Sequence, residues 1–421
     1  MPTCGTLVQF WESVAACEAA GRDAKTVLEL FSGIGGYRYG FSYAGIRAHH
    51  LAVEINPVAN AVYRHNADRS PLFSCVLAKD ITSMPKSWFE ANACDIWCMS
   101  PPCQPYSRQG NQRDLEDART QPLKHLMQVL EALTNKPKTI VIENVPPFLG
   151  SQTWNDLCLP ALRRAGYQTQ TLVVSTLDSG VPNNRKRFYA VARLDARPLN
   201  LDWPSIRAKF LTPVEALLDP PNQYLCNPLE GAISSSENTT TIPVALLNGL
   251  EAADIYINKH PNELQELPND MKCLVRPAPV VLPLDHPATL PGSPKQPAQT
   301  VIVPVPRHYT VCFTKAYGRY VRGTGSILWD NGRLRFFSPN EVARLMGYHT
   351  ASVKSGCCRG GATGGREVAG GREVTGGREP SWPEGTEPLV WPEGLRTVKK
   401  YQLLGNSLNP KIIALLLSAI S

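Results

Sequence analysis

The chain has no long apolar run, no cysteine pair at CxxC spacing and no lysine-bearing phosphate loop. Each absence removes a class of protein. No apolar stretch approaches the ~18 residues that cross a bilayer as a helix, so no membrane partner is expected. The N-terminus has no basic segment leading into an apolar one, so no secretory signal is expected. Twelve cysteines are present, but Cys94, Cys98 and Cys103 match no common zinc spacing and Cys357-Cys358 is vicinal. The expectation is a reduced intracellular protein, cytoplasmic with a nuclear location left open, that binds no metal and uses most thiols as core filler. Without a GxxxxGK[ST] loop there is no sign of a nucleoside triphosphate site.

What is present is an ordinary globular composition, 43% apolar and 19% charged. At 421 residues the chain is long enough for two domains. A net charge of +7 and a pI near 8.8 fit a polyanionic partner without requiring one.

Residues 1–24 read as an extension with one short helix around Trp11 to Ala19. Buried strands are expected at Thr26–Phe31, His50–Ile55, Asp95–Met99 and Thr139–Glu143. Helices are expected from the Gly33–Gly36 turn through Ala44, over Pro57–Asn66 and over Thr120–Leu133. Alternating strands and helices imply an α/β fold, a Rossmann-like doubly wound parallel sheet over residues 25–198. From 199 to 336 proline density rises, with nine prolines between 275 and 306, and a smaller irregular domain is expected. Ser338-Pro339-Asn340-Glu341 has the chemistry of a capped helix start, so 337–350 should return to the first body. Residues 351–388 repeat Gly-Gly-Arg-Glu at 364, 370 and 376 and balance five basic residues with five Glu. That segment is expected to be a disordered insert. Residues 389–421 close the fold.

In doubly wound sheets ligands sit at the carboxyl ends of the strands. Ser32, Glu54, Cys103 and Glu143 all fall there, which argues for one shared site. Cys103 stands in Ser100-Pro-Pro-Cys-Gln-Pro-Tyr-Ser107, where the prolines stiffen the loop. A thiolate is a strong nucleophile, and with Glu143 as acid it could attack a pyrimidine carbon. A buried structural cysteine in a turn is the alternative. Phe31-Ser32-Gly33-Ile34-Gly35-Gly36 lets backbone approach a ligand at a helix N-terminus. Its GxGG spacing suits a nucleoside without pyrophosphate, and S-adenosylmethionine fits that description. Glu54, beside Ile55, could bind ribose hydroxyls or be a solvated strand end. Asp80, beside Ile81, could read an adenine amino group or be a plain turn residue. Arg185 and Arg187 would lie on one face of a strand and could hold a phosphate or base carbonyl, or form a solvated basic run.

Taken together, these pieces resemble the cytosine-5 methyltransferases. The ordered matches are Phe31-Ser-Gly-Ile-Gly-Gly36, Glu54, Pro101-Pro-Cys-Gln104, Glu143-Asn-Val145, Arg185-x-Arg187 and Gly405-Asn-Ser407. A further stretch, Cys312-Phe-Thr-Lys-Ala-Tyr-Gly318, is similar to the branch that methylates cytosine 38 of aspartate tRNA. The resemblance implies S-adenosylmethionine as methyl donor, tRNA as partner and a monomer without metal. It makes 25–198 and 389–421 the two parts of the methyltransferase domain and 199–336 its target-recognition domain. Cys103 would add to C6 of the base and Glu143 would bind N3 and the amine, while Arg185 and Arg187 hold the base and its backbone. Phe31, Ser32, Gly33, Ile34, Gly35, Gly36, Glu54, Ile55, Asp80, Ile81, Ser100, Pro101, Asn406 and Ser407 would line the cofactor pocket. Cys312, Thr314, Lys315 and Arg319 would lie along the RNA. The repeat and the N-terminal extension depart from the family pattern. The same chemistry on duplex DNA, a catalytically silent RNA-binding homologue and a repeat-mediated scaffold are the other readings.

Overall fold

The apolar strand segments and amphipathic helices of the first half assemble into one sheet with helices on both faces. The computed structural model describes residues 5–70, 73–107, 113–195, 309–320, 323–330, 333–350 and 386–420, with short pieces at 202–206, 208, 212, 214–219 and 255–257. Most of the expected target-recognition domain, and the repeat at 351–385, lie outside these residues.

The strands are β1 (Lys25–Leu30), β2 (Ala48–Val53), β3 (Ser74–Leu77), β4 (Ile96–Met99), β5 (Thr139–Asn144), β6 (Gln168–Ser175), β7 (Asn183–Asn184) and β8 (Lys186–Arg193). The main sheet has the order β3-β2-β1-β4-β5-β8-β6. β1 to β5 are parallel, and β8 inserts antiparallel between β5 and β6. The order reverses between β1 and β4, which is the switch point where such sheets open a crevice. Register sharpens this. Leu30 pairs with Val53 and with Met99, and Met99 pairs with Ile142. The next residue of each strand therefore falls on one row: Phe31, Glu54, Ser100 and Glu143.

The helices of this body are α1 (Leu7–Ala19), α2 (Gly36–Tyr43), α3 (Pro57–Ala67), α4 (Lys86–Ala91), α5 (Gln121–Ala132) and α6 (Leu159–Arg164). The expected N-terminal helix is longer than its apolar pattern suggests. Thr6 and Gln9 form a capping box that starts it at Leu7. It belongs to the core, because Phe10 is fully buried and Trp11 donates to Asn92 Oδ1 at 2.8 Å. Burying a side chain of that size contributes about 1.5–3 kcal/mol.

β10 (Thr310–Val311) pairs with β7, and β9 (Ile255–Ile257), β11 (Ile327–Asp330) and β12 (Arg333–Phe336) form a small separate sheet. Ser338 and Glu341 make the expected capping box on α7 (Pro339–Leu345). The chain closes with α8 (Thr397–Gly405) and α9 (Pro410–Ile420). An 18-residue stretch within Thr397–Ile420 is apolar enough by composition to cross a membrane. Here it is broken after Gly405 and buries Leu404, Ile412, Ile413 and Leu416 inside the protein.

The insert leaves and returns at one point. Thr350 and Leu389 form a β-bridge, and Leu389 N donates to His349 O at 2.7 Å. Residues 386–388, assigned to the insert from sequence, belong to the closing segment. Glu387 pairs at 2.9 Å with Arg38, whose side chain is only 6% exposed on α2. A guanidinium held that deep requires its counter-charge.

Candidate active site

The row of strand ends opens into a cleft of about 240 Å³ lined by the glycine turn, Glu54, the Cys103 loop, Glu143 and Ser407. The turn is built by unusual backbone. Phe31, Gly33 and Gly35 have φ of 58°, 54° and 86°; only glycine adopts such values without strain, so Phe31 stores some at the site. Gly33 N donates to Glu54 Oε2 at 3.0 Å and Asn56 N donates to Glu54 Oε1 at 2.8 Å. Each carboxylate oxygen thus keeps acceptor capacity toward the cleft. A side chain at Gly33 would meet open space, so the turn leaves room for a ligand. Ser32 Oγ is buried without a partner among the described residues, and Ile55 is 67% exposed at the lip. Such a lining suits a ligand with hydroxyls and an apolar flat ring.

On the other side the two reactive groups share a wall. Asn144 Nδ2 donates to Pro101 O at 3.2 Å, tying the Cys103 loop to the end of β5. Tyr106 and Ser107 donate backbone N–H to Cys103 O, each at 3.1 Å, and the Tyr106 ring packs on Phe148 at 4.8 Å. Cys103 is thus half-buried on an anchored turn. Glu143 is buried, and Arg187 Nε stands 3.3 Å from its Oε1. Burial pushes the Glu143 carboxyl up; Arg187, then Arg185, pull it back without cancelling the rise.

Sequence reasoning paired Arg185 with Arg187 as two cations for the base. The structure divides their work. Arg185 Nη2 donates to Gly405 O at 3.1 Å and to Ser407 O at 2.6 Å. Its Nη1 donates to Phe313 O at 3.0 Å and to Cys312 Sγ at 3.4 Å. Arg185 is a buried clamp joining the 312–313 segment to the end of α8. Gly405 is required there, because a Cβ would lie 2.2 Å from Lys315 N. Cys312 consequently sits beside both arginines. Burial pushes its thiol up, but the two guanidiniums outweigh that and its pKa falls below the ordinary thiol value.

Not every expected residue reaches the cleft. Asp80 is exposed past β3, where its Oδ1 accepts from Thr82 N at 2.9 Å, and Ile81 is a core residue. Neither lines the cleft, and Gly35 serves instead as the left-handed N-cap of α2. Thr314, Lys315 and Arg319 stand outside it, Lys315 and Arg319 exposed. Asn56, Pro102, Gln104, Asn144, Leu403 and Leu408 line the cleft and were not assigned a role from sequence. Pro102, Gln104 and Asn144 stood inside the quoted motifs, and the others had no signal beyond lying near assigned residues. Among the described residues, no group of three or more His, Cys, Asp or Glu side chains could hold a metal ion.

Comparison with known proteins agrees with this geometry. The family model described as C-5 cytosine-specific DNA methylase matches residues 25–277. The chain is 30% identical to a tRNA (cytosine(38)-C(5))-methyltransferase of Bos taurus, over 93% of this chain and 98% of the relative. It is 28% identical to the protein of the same name from Homo sapiens, over 94% and 98%. Among solved structures it is similar to the S. pombe Dnmt2 methyltransferase, with TM-score 0.61 and 25% identity over 94% of this chain and 97% of that one.

Proposed function

This chain belongs to the C-5 cytosine-specific DNA methylase family, and we propose that it methylates C5 of a cytosine in tRNA, at position 38 of the anticodon loop of aspartate tRNA, using S-adenosylmethionine. Cytosine-5 methyltransferase chemistry follows from the family. The choice of RNA is supported by relatives that match nearly end to end and are named for tRNA cytosine 38. The observation that carries the mechanism is the convergence of Cys103, Glu143 and Arg187 on the wall facing the glycine turn.

The cleft lining fits the methyl donor. Glu54 would accept from its ribose hydroxyls, Ile55 would cover its ring, and Ser32 and the Gly33 turn would face its remaining polar atoms. Bound there, S-adenosylmethionine supplies an electrophilic methyl group. The target base must leave its stack, and an unpaired loop base does so at less cost than a duplex base. The Cys103 sulfur adds to C6, forming a covalent adduct that makes C5 nucleophilic. Glu143 holds its proton more readily than an exposed carboxyl, so it can donate to N3 as charge builds on the ring. Arg187 keeps that carboxyl in place. After methylation, loss of the C5 proton and departure of the Cys103 sulfur restore the ring.

The test is to incubate the purified protein with a labelled methyl donor and either total small RNA or duplex DNA, then map the modified base. Label at cytosine 38 of aspartate tRNA is expected. Label confined to duplex DNA, or absent from both, would overturn the RNA reading.

A further inference from the structure

Behind α8 lies a second groove that the chemistry above does not use. It has a volume of about 440 Å³, against about 240 Å³ for the first. Asn56, Leu403 and Asn406 line both, so the two are contiguous. Its own walls are Lys315, Arg319 and Tyr320 on one side and Lys399 and Gln402 of α8 on the other. Among the described residues the lining holds three cations and no acid. Among the described residues no carboxylate forms an ion pair with Lys315, Arg319 or Lys399. Unpaired basic residues facing one groove make a field suited to phosphate.

The second observation is Tyr320. Its side chain is 61% exposed, and the Arg319 guanidinium stands 5.9 Å from its ring centroid. A tyrosine left open beside cations is the arrangement on which an unpaired base stacks while its phosphate is neutralised. The groove is also joined to the reacting wall by a fixed link. Arg185 holds Phe313 and Gly405 together, and Gly405 lies against the Thr314–Lys315 backbone. The segment that begins at Cys312 beside Arg185 and Arg187 therefore continues into this groove as Lys315–Tyr320.

We propose that this groove seats an unpaired nucleotide of the RNA next to the target cytosine, with its base on Tyr320 and its phosphate on Lys315, Arg319 and Lys399. The inference rests on the RNA reading of the active site and adds a second point of attachment. Two contacts, one for the extruded base and one for its neighbour, select a single-stranded segment over a duplex, in which neighbouring bases remain stacked.

The experiment uses the full chain and a fluorescent anticodon stem-loop carrying the target cytosine. RNA affinity, S-adenosylmethionine affinity and thermal stability are measured for wild type, Tyr320→Ala, Tyr320→Phe and Lys399→Gln. Tyr320→Ala and Lys399→Gln should each weaken RNA binding by about tenfold, with donor affinity and melting temperature unchanged. Tyr320→Phe should restore binding, because the ring and not the hydroxyl does the stacking. Lys399→Gln should also flatten the salt dependence. If both variants bind RNA like wild type, or lose donor affinity instead, the inference is wrong while the proposed activity stands. If wild type neither binds nor methylates the RNA, the activity reading fails and the groove loses its ligand with it.

Discussion

Arg187 Nε stands 3.3 Å from Glu143 Oε1, and the strands that carry them run antiparallel side by side. Burial raises the Glu143 carboxyl, and Arg187 is the largest of the influences that lower it. Replacing Arg187 with Met removes that influence, so the Glu143 value should rise further. The limb of the rate profile on which Glu143 loses its proton should shift to higher pH. The turnover rate should fall by about tenfold to a hundredfold as the carboxyl loses its fixed position. Stability has the same sign. A carboxyl raised by folding contributes fully below its unfolded value and loses that contribution as pH rises through the folded one. The variant should therefore lose more stability than wild type as pH rises above the ordinary carboxylate range. A rate profile that does not move would separate Arg187 from Glu143.

Cys103→Ala should abolish methyl transfer and leave S-adenosylmethionine affinity nearly intact. The sulfur acts on the base, while the donor is held by the glycine turn and Glu54. A methylation assay beside a calorimetric titration reads both, and full-rate turnover by the variant would rule out the covalent route.

Glu54→Ala should weaken donor binding by roughly 1.5–3 kcal/mol, the loss of a charge-assisted hydrogen bond. Glu54 also holds Gly33 N and Asn56 N, so Glu54→Gln, which keeps an acceptor, should fall between alanine and wild type. Calorimetry showing equal affinity for all three would remove Glu54 from the pocket.

Arg185→Lys should destabilise the fold. One ammonium cannot span Phe313 O, Gly405 O and Ser407 O as the planar guanidinium does. The loss should be on the order of 3 kcal/mol, read by chemical denaturation. A variant as stable as wild type but unable to methylate would return Arg185 to a role at the base.

Replacing residues 351–385 by a short glycine-serine linker between Thr350 and Thr386 should leave folding, donor binding and methylation intact, because Thr350 already bridges Leu389, three residues beyond Thr386. A deletion carried through Pro388 should be less stable by about 3–5 kcal/mol, since it removes Glu387 and strands the buried Arg38 charge. Equal melting temperatures for the two deletions would mean the pair contributes nothing.

The sequence alone determined the main elements. Short, continuously apolar strand runs, 3.6-period helices and the Ser338–Glu341 capping chemistry are local signals, and local signals are legible one segment at a time. It also marked Cys103, Glu143, Glu54 and the glycine turn, because each follows directly on a strand and strand ends in such a sheet converge. What it could not decide was division of labour among residues far apart in the chain. Arg185 and Arg187 look alike in sequence, yet only packing against Phe313 and the Gly405–Ser407 turn makes one a clamp and leaves the other on Glu143. Asp80 reads as a strand-end acid like Glu54, but it caps its own turn outside the cleft. Glu387 looks like one more charge in a neutral repeat until α2 supplies Arg38. Burial and counter-charge are properties of the neighbours that folding provides, so only the tertiary structure could assign those roles.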